Sequence, residues 1–414
     1  PRRTARSWPI GTPNRTNADH KMLGLPESSG YPTPAVYISG SELSMITLIK
    51  QLQESPFRPV AVVPGRSALS EALEDVGIEP VIVDGEIASV SRRNIAYFEF
   101  ILQVLNPIAV HLNGGAVLPL QIVAHMKGVP IILHVRRRLP TPPPDEYLFA
   151  DVFLVPSDET AKDLERCSVL KANIRVLPNP IAWRRKGPFH SRAGQPFRIV
   201  MASRLTPEKR QDLLLRALPN ISERLGRCHV DLAGVFDPRD SPYVDSLKRI
   251  SSSLGLEGVV HFLGHVDDVQ NLVQTADLAV ACCAREAFGR SVVEAMSVGT
   301  PSVFPSGSLP AEIEGPYPEE AVFLAGSDVG LSEAVVRVAS DDGLRAQCRR
   351  VGLQIAARYR ADRIVDEYLN VIKEVIDVGS SKVVPRFHPE NLPTISTGLA
   401  RGEGPGSRIQ SVNP

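Results

Sequence analysis

No charge of either sign dominates this sequence of 414 residues: lysine plus arginine total 46, and aspartate plus glutamate also total 46. A bulk electrostatic attraction to nucleic acid is therefore excluded. Only two local basic runs, Arg136-Arg137-Arg138 and Arg184-Arg185-Lys186, remain to meet an anionic substrate or a membrane surface. Cysteine is scarce as well. The five residues are odd in number and scattered, and Cys282 and Cys283 lie side by side in an apolar run, where they act as small buried groups. This excludes a disulfide framework, and no metal-ligand spacing appears, so the expected compartment is reducing and cytoplasmic. No apolar run approaches the roughly 18–20 residues that span a bilayer. Pro1-Arg2-Arg3-Thr4 has no apolar core of the kind a secretory signal carries. Two motifs are also missing. Without an Asp-x-Asp there is no clamp for a magnesium-bound diphosphate, and no first strand is followed by the Gly-x-Gly-x-x-Gly of a nicotinamide dehydrogenase.

The rest of the composition, 43% apolar and 22% charged, is that of an ordinary globular protein long enough for two domains. Residues 1–33 are polar, rich in Pro, Asn, Arg and Ser, and read as a disordered leader. From residue 34 to 190 short apolar runs alternate with helical patterns: Ala35–Ile38, Val60–Val63, Val81–Val83, Ile108–His111, Ile131–His134, Val152–Val155 and Ile174–Leu177. Strands separated by helices predict parallel sheets built from βαβ crossovers. The proline-punctuated stretch from Pro178 to Pro196 reads as a linker. A second alternating series spans 196–360, a further helix spans 361–377, and 378–414 turns polar and Gly-, Pro- and Ser-rich, as a disordered tail does. Two successive doubly wound α/β domains enclose a cleft, and such clefts are favoured ligand sites.

One segment carries most of the chemistry. Asp277-Leu278-Ala279-Val280-Ala281-Cys282-Cys283 reads as a buried strand, and Arg290 onward as a helix. Glu286 then falls in the loop at the carboxyl end of the strand, with Glu294 about a turn and a half into the helix. In open α/β sheets ligands bind in that crevice, and the amides that open the helix favour an anion such as a phosphate. Two carboxylates suit such a place only if they accept hydrogen bonds from hydroxyls, which a sugar and a ribose supply. The second domain opens Ala202-Ser203-Arg204-Leu205-Thr206-Pro207-Glu208-Lys209, which directs an arginine fork and a lysine charge toward the same crevice. A glycosidase acid/base pair is a poor reading of the two glutamates, because both sit on one wall of the crevice.

At these residues the sequence resembles the retaining glycosyltransferases of family four. The Glu286-x7-Glu294 segment, with Phe288-Gly289 inside it and Ala295-Met296 after it, is similar to that family's donor-site signature. Arg204 and Lys209 match its diphosphate-binding pair, Leu177-Pro178-Asn179-Pro180 its interdomain entry, and Gly299-Thr300-Pro301 with the Gly307 loop its next strand and loop. The resemblance covers about 34–377 and implies the GT-B fold, two facing Rossmann-like domains whose last helix crosses back to the first. It implies a nucleotide-diphosphate sugar as donor, a carbohydrate or lipid-linked acceptor, no cofactor and no essential metal. Arg204 and Lys209 would stabilise the leaving diphosphate, Glu286 would hold the donor sugar and Glu294 the ribose. Backbone amides of Ala287, Phe288, Gly289, Arg290, Ser291 and Val292 would contact sugar and phosphate, and His265-Val266 would meet the base. In the first domain His134 would face the reaction centre, with Gly40, Gly114, Gly115 and Arg136 on the acceptor side. His111 reads as a structural strand-end residue.

The sequence departs from that pattern in three places. Ser39-Gly40-Ser41-Glu42 stands where the family has a glycine pair, Gly307-Ser308 stands for Gly-Gly, and Ala287 stands for glycine. A binder of nucleotide sugars that transfers nothing is the alternative those changes keep open. Peripheral contact with the inner face of the membrane is compatible with the basic runs. The sugar, the base and the acceptor are not legible.

Overall fold

The structure, a computed structural model, describes residues 20–25, 40–83, 85, 87–115, 117–139, 147, 149–183 and 195–378. They form two parallel sheets flanked by helices, the doubly wound α/β architecture expected. In the first, strands β1 (His20–Leu25), β2 (Phe57–Pro64), β3 (Val81–Val83), β4 (Ala109–Asn113), β5 (Ile131–His134), β6 (Val152–Val155) and β7 (Ile174–Val176) lie in the order β3-β2-β1-β4-β5-β6-β7. The helices between them are α1 (Gly40–Leu52), α2 (Ala68–Asp75), α3 (Arg92–Leu105), α4 (Leu118–Met126) and α5 (Asp158–Arg166). In the second, β8 (Phe197–Ala202), β9 (Cys228–Ala233), β10 (Val260–Gly264), β11 (Leu278–Val280), β12 (Ser302–Pro305) and β13 (Val322–Phe323) take the order β10-β9-β8-β11-β12-β13. Its helices are α6 (Gln211–Leu225), α7 (Ser241–Ser253), α8 (Val269–Gln274), α9 (Arg290–Ser297), α10 (Ala311–Glu314), α11 (Asp328–Ser340), α12 (Asp342–Ala356) and α13 (Ala361–Val378).

Strand order reverses between β1 and β4 in one sheet and between β8 and β11 in the other. The crevices at these switch points open at the carboxyl ends of the strands. One is bordered by Asn113-Gly114 after β4, and the other by Arg204 after β8 and Glu286 after β11. The chain thus brings Arg204 and Glu286 to the carboxyl ends of central strands in the second sheet, and Gly114 to the corresponding end of the first.

The leader assigned to 1–33 needs correcting. His20–Leu25 is a central strand, paired with β2 through Leu23–Val60 and with β4 through Leu23–Val110, and Met22 is buried. A parallel strand covered on both faces shows no polar alternation, so the short run Met22-Leu23-Gly24-Leu25 carried too weak a signal inside a polar segment. The strand expected at Ala35–Ile38 lies outside the described residues, as do residues 184–194 of the linker and the tail from 379 onward.

Helix termini follow local chemistry. Ser157 caps α5 by accepting from the Thr160 amide, Asp158 and Glu159 occupy its first turn, and Arg166 its last, so charge complements the dipole at both ends. Helix α13 buries Ile364, Val365, Tyr368, Val371, Ile372 and Val375, a helical stripe, against Met22, Leu48, Leu52, Phe57, Ile132 and Leu154 of the first unit. Where the chain crosses between units its two passes are stitched together. The Ile181 amide donates to the Tyr359 carbonyl at 2.8 Å, and the Ala361 amide donates to the Ile181 carbonyl at 3.2 Å.

Candidate functional site

The donor-side crevice is built by two loops. Lys209 ends the 3-10 turn Pro207–Lys209, and its Nζ lies 2.6 Å from Glu286 Oε1. Burial opposes the lysine's charge, yet Glu286 and the Cys283 sulfur beside it hold its pKa above the ordinary value, even with Arg204 nearby acting in the other direction. The ammonium is therefore charged. The Glu286 amide donates to the Ser308 carbonyl at 2.8 Å, so the altered Gly307-Ser308 loop fixes the backbone of this glutamate. Gln211 Nε2 donates to the Arg204 carbonyl at 2.8 Å and to Ser203 Oγ at 3.0 Å, which sets the Arg204 loop. Gly234 makes that loop possible: a Cβ there would overlap the Ser203 carbonyl.

Gly289 caps α9 in the left-handed region, φ 82°, and a Cβ on it would strike the Leu309 side chain. Beyond it, one assignment changes. The amides from Ala287 to Val292 do not all face the crevice, because the Val292 amide donates to the Gly289 carbonyl at 3.0 Å and is spent there. The side chains of Ala287, Phe288 and Val292 are buried. Phe288 packs edge-on to Tyr359 with ring centroids 5.0 Å apart, a core role that holds the loop from behind. Ser291 is half-buried at the start of α9. His265 and Val266 follow β10, and His265 is exposed, with Nε2 3.1 Å from Asp267 Oδ1.

Arg290 carries more than a backbone amide. Its Nε donates to Glu294 Oε1 at 2.8 Å, and its Nη1 crosses the cleft to Ser44 Oγ at 2.6 Å and to the Pro180 carbonyl at 3.1 Å. A Cβ on Gly40 would sit 3.3 Å from Arg290 Cδ, so the Gly40 backbone packs against the arginine stem. The residues read as acceptor-side and donor-side meet here.

The first unit contributes a buried polar group under the α1 terminus. Arg136 is buried, with Nε donating to Asn113 Oδ1 at 2.8 Å and Nη1 donating to Asn179 Oδ1. Asn113 Nδ2 donates to the Ser41 carbonyl at 3.4 Å, and the Gly114 amide donates to the His134 carbonyl at 2.7 Å. Gly115 follows, half-buried. Arg136, read as an acceptor-side residue, is thus buried, and its guanidinium ties a strand end to the interdomain entry, because β-strand neighbours and Asn179 converge on it. His134 is fully buried, stacks on His111 with centroids 5.5 Å apart, and both its ring nitrogens lack a partner. Burial, then the Arg136 charge, then His111 push its pKa well below the usual histidine value, so the ring is neutral. His111 meets the Tyr368 hydroxyl through Nδ1, and burial followed by Arg136 pushes it down to about 3. That fits the structural role read for it.

Sequence reasoning missed Ser44, Asn113, Asn179, Asp163, Gly234 and Tyr368. Asn113 could have been found as the polar residue that ends an apolar strand just before Gly114-Gly115. The others needed the fold, since most of their partners lie far away in the chain; Asp163 meets Arg166 three residues on, but Arg138 from twenty-five residues back. Among the described residues no group of three His, Cys, Asp or Glu side chains is placed to hold a metal ion, and no helix is long and apolar enough to cross a membrane.

Comparison with known proteins adds two family matches, glycosyltransferase family 4 over residues 38–182 and glycosyl transferases group 1 over residues 185–354. An uncharacterised glycosyltransferase of Methanocaldococcus jannaschii is 33% identical over 184 residues, 44% of this chain and 45% of the relative. The phosphatidyl-myo-inositol mannosyltransferase of Mycobacterium leprae is 30% identical over 179 residues, 42% of this chain and 45% of the relative. The matched stretches thus span less than half the length of these relatives. In three dimensions the Anabaena protein HepE, solved with UDP-glucose, superposes with a TM-score of 0.70 at 19% identity, covering 86% of this chain and 99% of that one.

Proposed function

The chain belongs to the glycosyltransferases of group 1 and family four, and from that premise we propose that it moves a sugar from a nucleotide-diphosphate sugar to an acceptor hydroxyl with retention at the anomeric carbon. The observation that carries the reading is the charged Lys209 held 2.6 Å from Glu286 at the switch point of the second sheet, with the start of α9 beside it. A diphosphate leaving group accumulates negative charge as the anomeric C–O bond breaks, and preorganised cations at that spot stabilise it. Lys209 and Arg204 supply those cations, and the Arg290 and Ser291 amides extend the field. With this charge provided by side chains, the reaction proceeds without an essential metal.

Glu286 has a second oxygen for a donor-sugar hydroxyl while Oε1 holds Lys209, and Glu294 likewise has Oε2 for a ribose hydroxyl while Oε1 holds Arg290. The acceptor oxygen attacks the face that the diphosphate leaves, its proton passes to a phosphate oxygen, and the bonding pair departs with the diphosphate. UDP-glucose is the first donor to try, since HepE was solved with it. The phosphatidyl-myo-inositol relative makes a lipid-linked acceptor, reached at the inner face of the membrane, the matching choice on the other side. The test is a panel of UDP-, GDP- and ADP-sugars in thermal-shift binding, followed by NMR of the product anomer with and without a chelator. A donor that binds and gives the retained anomer in chelator supports the reading; an inverted product or absolute metal dependence overturns it.

The non-catalytic alternative is favoured by one observation, the complete burial of His134. Donor hydrolysis or transfer above background removes it.

A further inference from the structure

Where the two units meet at the outer lip of the cleft, three arginines converge on one buried carboxylate. Arg138 follows β5 and grips Asp163 with Nε at 2.5 Å from Oδ2 and Nη2 at 3.0 Å from Oδ1. Arg166, at the end of α5, donates to Asp163 Oδ1. Arg285 reaches over from the second unit, Nη2 lying 3.9 Å from the same oxygen. The Asp163 side chain is only 1% exposed, whereas those of Arg166 and Arg285 are 60% and 63% exposed. The carboxylate is thus enclosed and already saturated, and it also accepts the Leu139 amide at 3.3 Å. Glu159, one helical turn earlier on α5, is the other carboxylate near Arg138, and its Oε1 accepts the Ala311 amide across the cleft at 3.5 Å. Three guanidinium groups therefore face Asp163, engaged through both oxygens, and Glu159, engaged through Oε1 alone. The two outermost cations present most of their donors to solvent.

The placement is specific. Arg285 is the residue directly before Glu286, so this cationic lip borders the point where the sugar is transferred, on the side of the first unit. Planar guanidinium forks match phosphate oxygens in pairs. We propose that Arg166 and Arg285, held in place by Asp163 and Arg138, form a subsite for a phosphate group carried by the acceptor. The proposal rests on the glycosyltransferase reading only in naming the ligand as the acceptor; the phosphate site itself stands apart from the donor site.

The experiment uses calorimetric titration of the full chain loaded with UDP, so that the diphosphate position is filled. Inorganic phosphate and glycerol 3-phosphate are the probes, and glycerol is the neutral control. Binding of both phosphates, weakened about tenfold by Arg166→Gln and by Arg285→Gln while UDP affinity stays unchanged, is the expected result. Both side chains lie largely in solvent, so these variants keep the fold. Affinity falls as salt rises, because exposed cations are screened. Vesicles containing phosphatidylglycerol form a separate arm: capture that depends on the same two arginines assigns the phosphate to a lipid, and binding confined to glycerol 3-phosphate assigns it to a soluble acceptor. Absence of phosphate binding, or equal binding by the Arg166→Gln/Arg285→Gln double variant, overturns the proposal. If no nucleotide binds, the functional reading fails instead, and the same titration on the nucleotide-free Lys209→Ala chain still decides the phosphate site.

Discussion

Arg290 and Ser44 are joined across the cleft by a hydrogen bond of 2.6 Å, the guanidinium donating to the hydroxyl. Because the same guanidinium holds Glu294 at 2.8 Å, the carboxylate read as the ribose acceptor is coupled to the first helix of the opposite unit. Arg290→Gln removes a charge-assisted bond inside the protein, an interaction of about 1.5–3 kcal/mol. The expected outcome is nucleotide binding weakened about tenfold or more, with more hydrogen exchange at the Ser41–Ser44 and Ile181 amides. Ser44→Ala loses the cross-cleft bond and the hydroxyl's own bond to the Gly40 carbonyl at 2.8 Å but leaves the Arg290–Glu294 pair in place, so it should raise exchange while leaving nucleotide affinity nearly unchanged. Equal effects of the two variants on affinity would show that Glu294 does not depend on Arg290.

Lys209 and Glu286 should separate binding from chemistry. Removing one preorganised donor to a developing anion costs roughly a hundred- to a thousandfold in kcat. Lys209→Ala is expected to fall in that range, and Glu286→Ala to lose turnover by orders of magnitude as well, because each leaves its partner alone in the crevice. Neither residue belongs to the hydrophobic cores, so thermal unfolding in the absence of donor should move little. Near-normal turnover by either variant with the true donor would remove the pair from the site.

Much of this was legible because strand ends announce themselves. The first strand of the second sheet is an apolar run closed by Ser203, and the apolar run through Cys283 ends just before Arg285, so Arg204, Lys209, Glu286 and Glu294 could be assigned to one crevice from the sequence. What could not be read was which group each charge would meet. Arg136 looks like a solvated basic residue in sequence, and its burial depends on Asn113 and Asn179, which approach only when β4 and the interdomain entry come together. Arg290 looked like a residue offering an amide, because nothing local marks Ser44 as its partner 246 residues away. Strand β1 was lost within a polar segment for want of a pattern: a central parallel strand needs only a few apolar residues and no alternation.

The buried histidines predict acid sensitivity with a defined window. His111 and His134 are held neutral in the folded chain, their pKa values lowered below 6.5, that of His111 to about 3. In the unfolded chain they take up protons near their ordinary value, so below about pH 6.5 the unfolded state binds more protons and stability falls as pH falls. The limiting slope is about 1.4 kcal/mol per pH unit for each histidine. Asp163 acts in a lower window. Burial raises its pKa, but the Arg138 hydrogen bond and charge, the Leu139 amide and Arg166 outweigh this and hold it below the usual carboxylate range. Its contribution is present above about pH 4 and is lost on further acidification. Urea unfolding at pH 7 and pH 5 should show a clear drop in midpoint, which a His111→Asn/His134→Asn variant flattens. An unchanged midpoint in the native chain between those pH values would mean that the rings are charged or solvated.

Two glycines beside the donor site should respond differently to the same added methyl. At Gly289 the methyl meets the end of a flexible leucine side chain, Leu309, while the backbone sits at φ 82°. The leucine can turn aside, so the expected cost of Gly289→Ala is chiefly that of a left-handed alanine, about 1–2 kcal/mol, with α9 kept in place. At Gly234 the methyl meets the Ser203 carbonyl, which is backbone and one residue from Arg204. The loop after β8 must then move, or β9 must end elsewhere, and Arg204 is carried with it. Gly234→Ala should therefore cost more in thermal stability than Gly289→Ala, and it should also weaken nucleoside diphosphate binding by about tenfold or more if the displaced guanidinium is the diphosphate contact proposed above. Thermal melts with and without UDP measure both effects on one sample. If Gly234→Ala retained the full UDP-induced shift, the position of Arg204 would not matter to the diphosphate, and Lys209 would have to stabilise the leaving group alone.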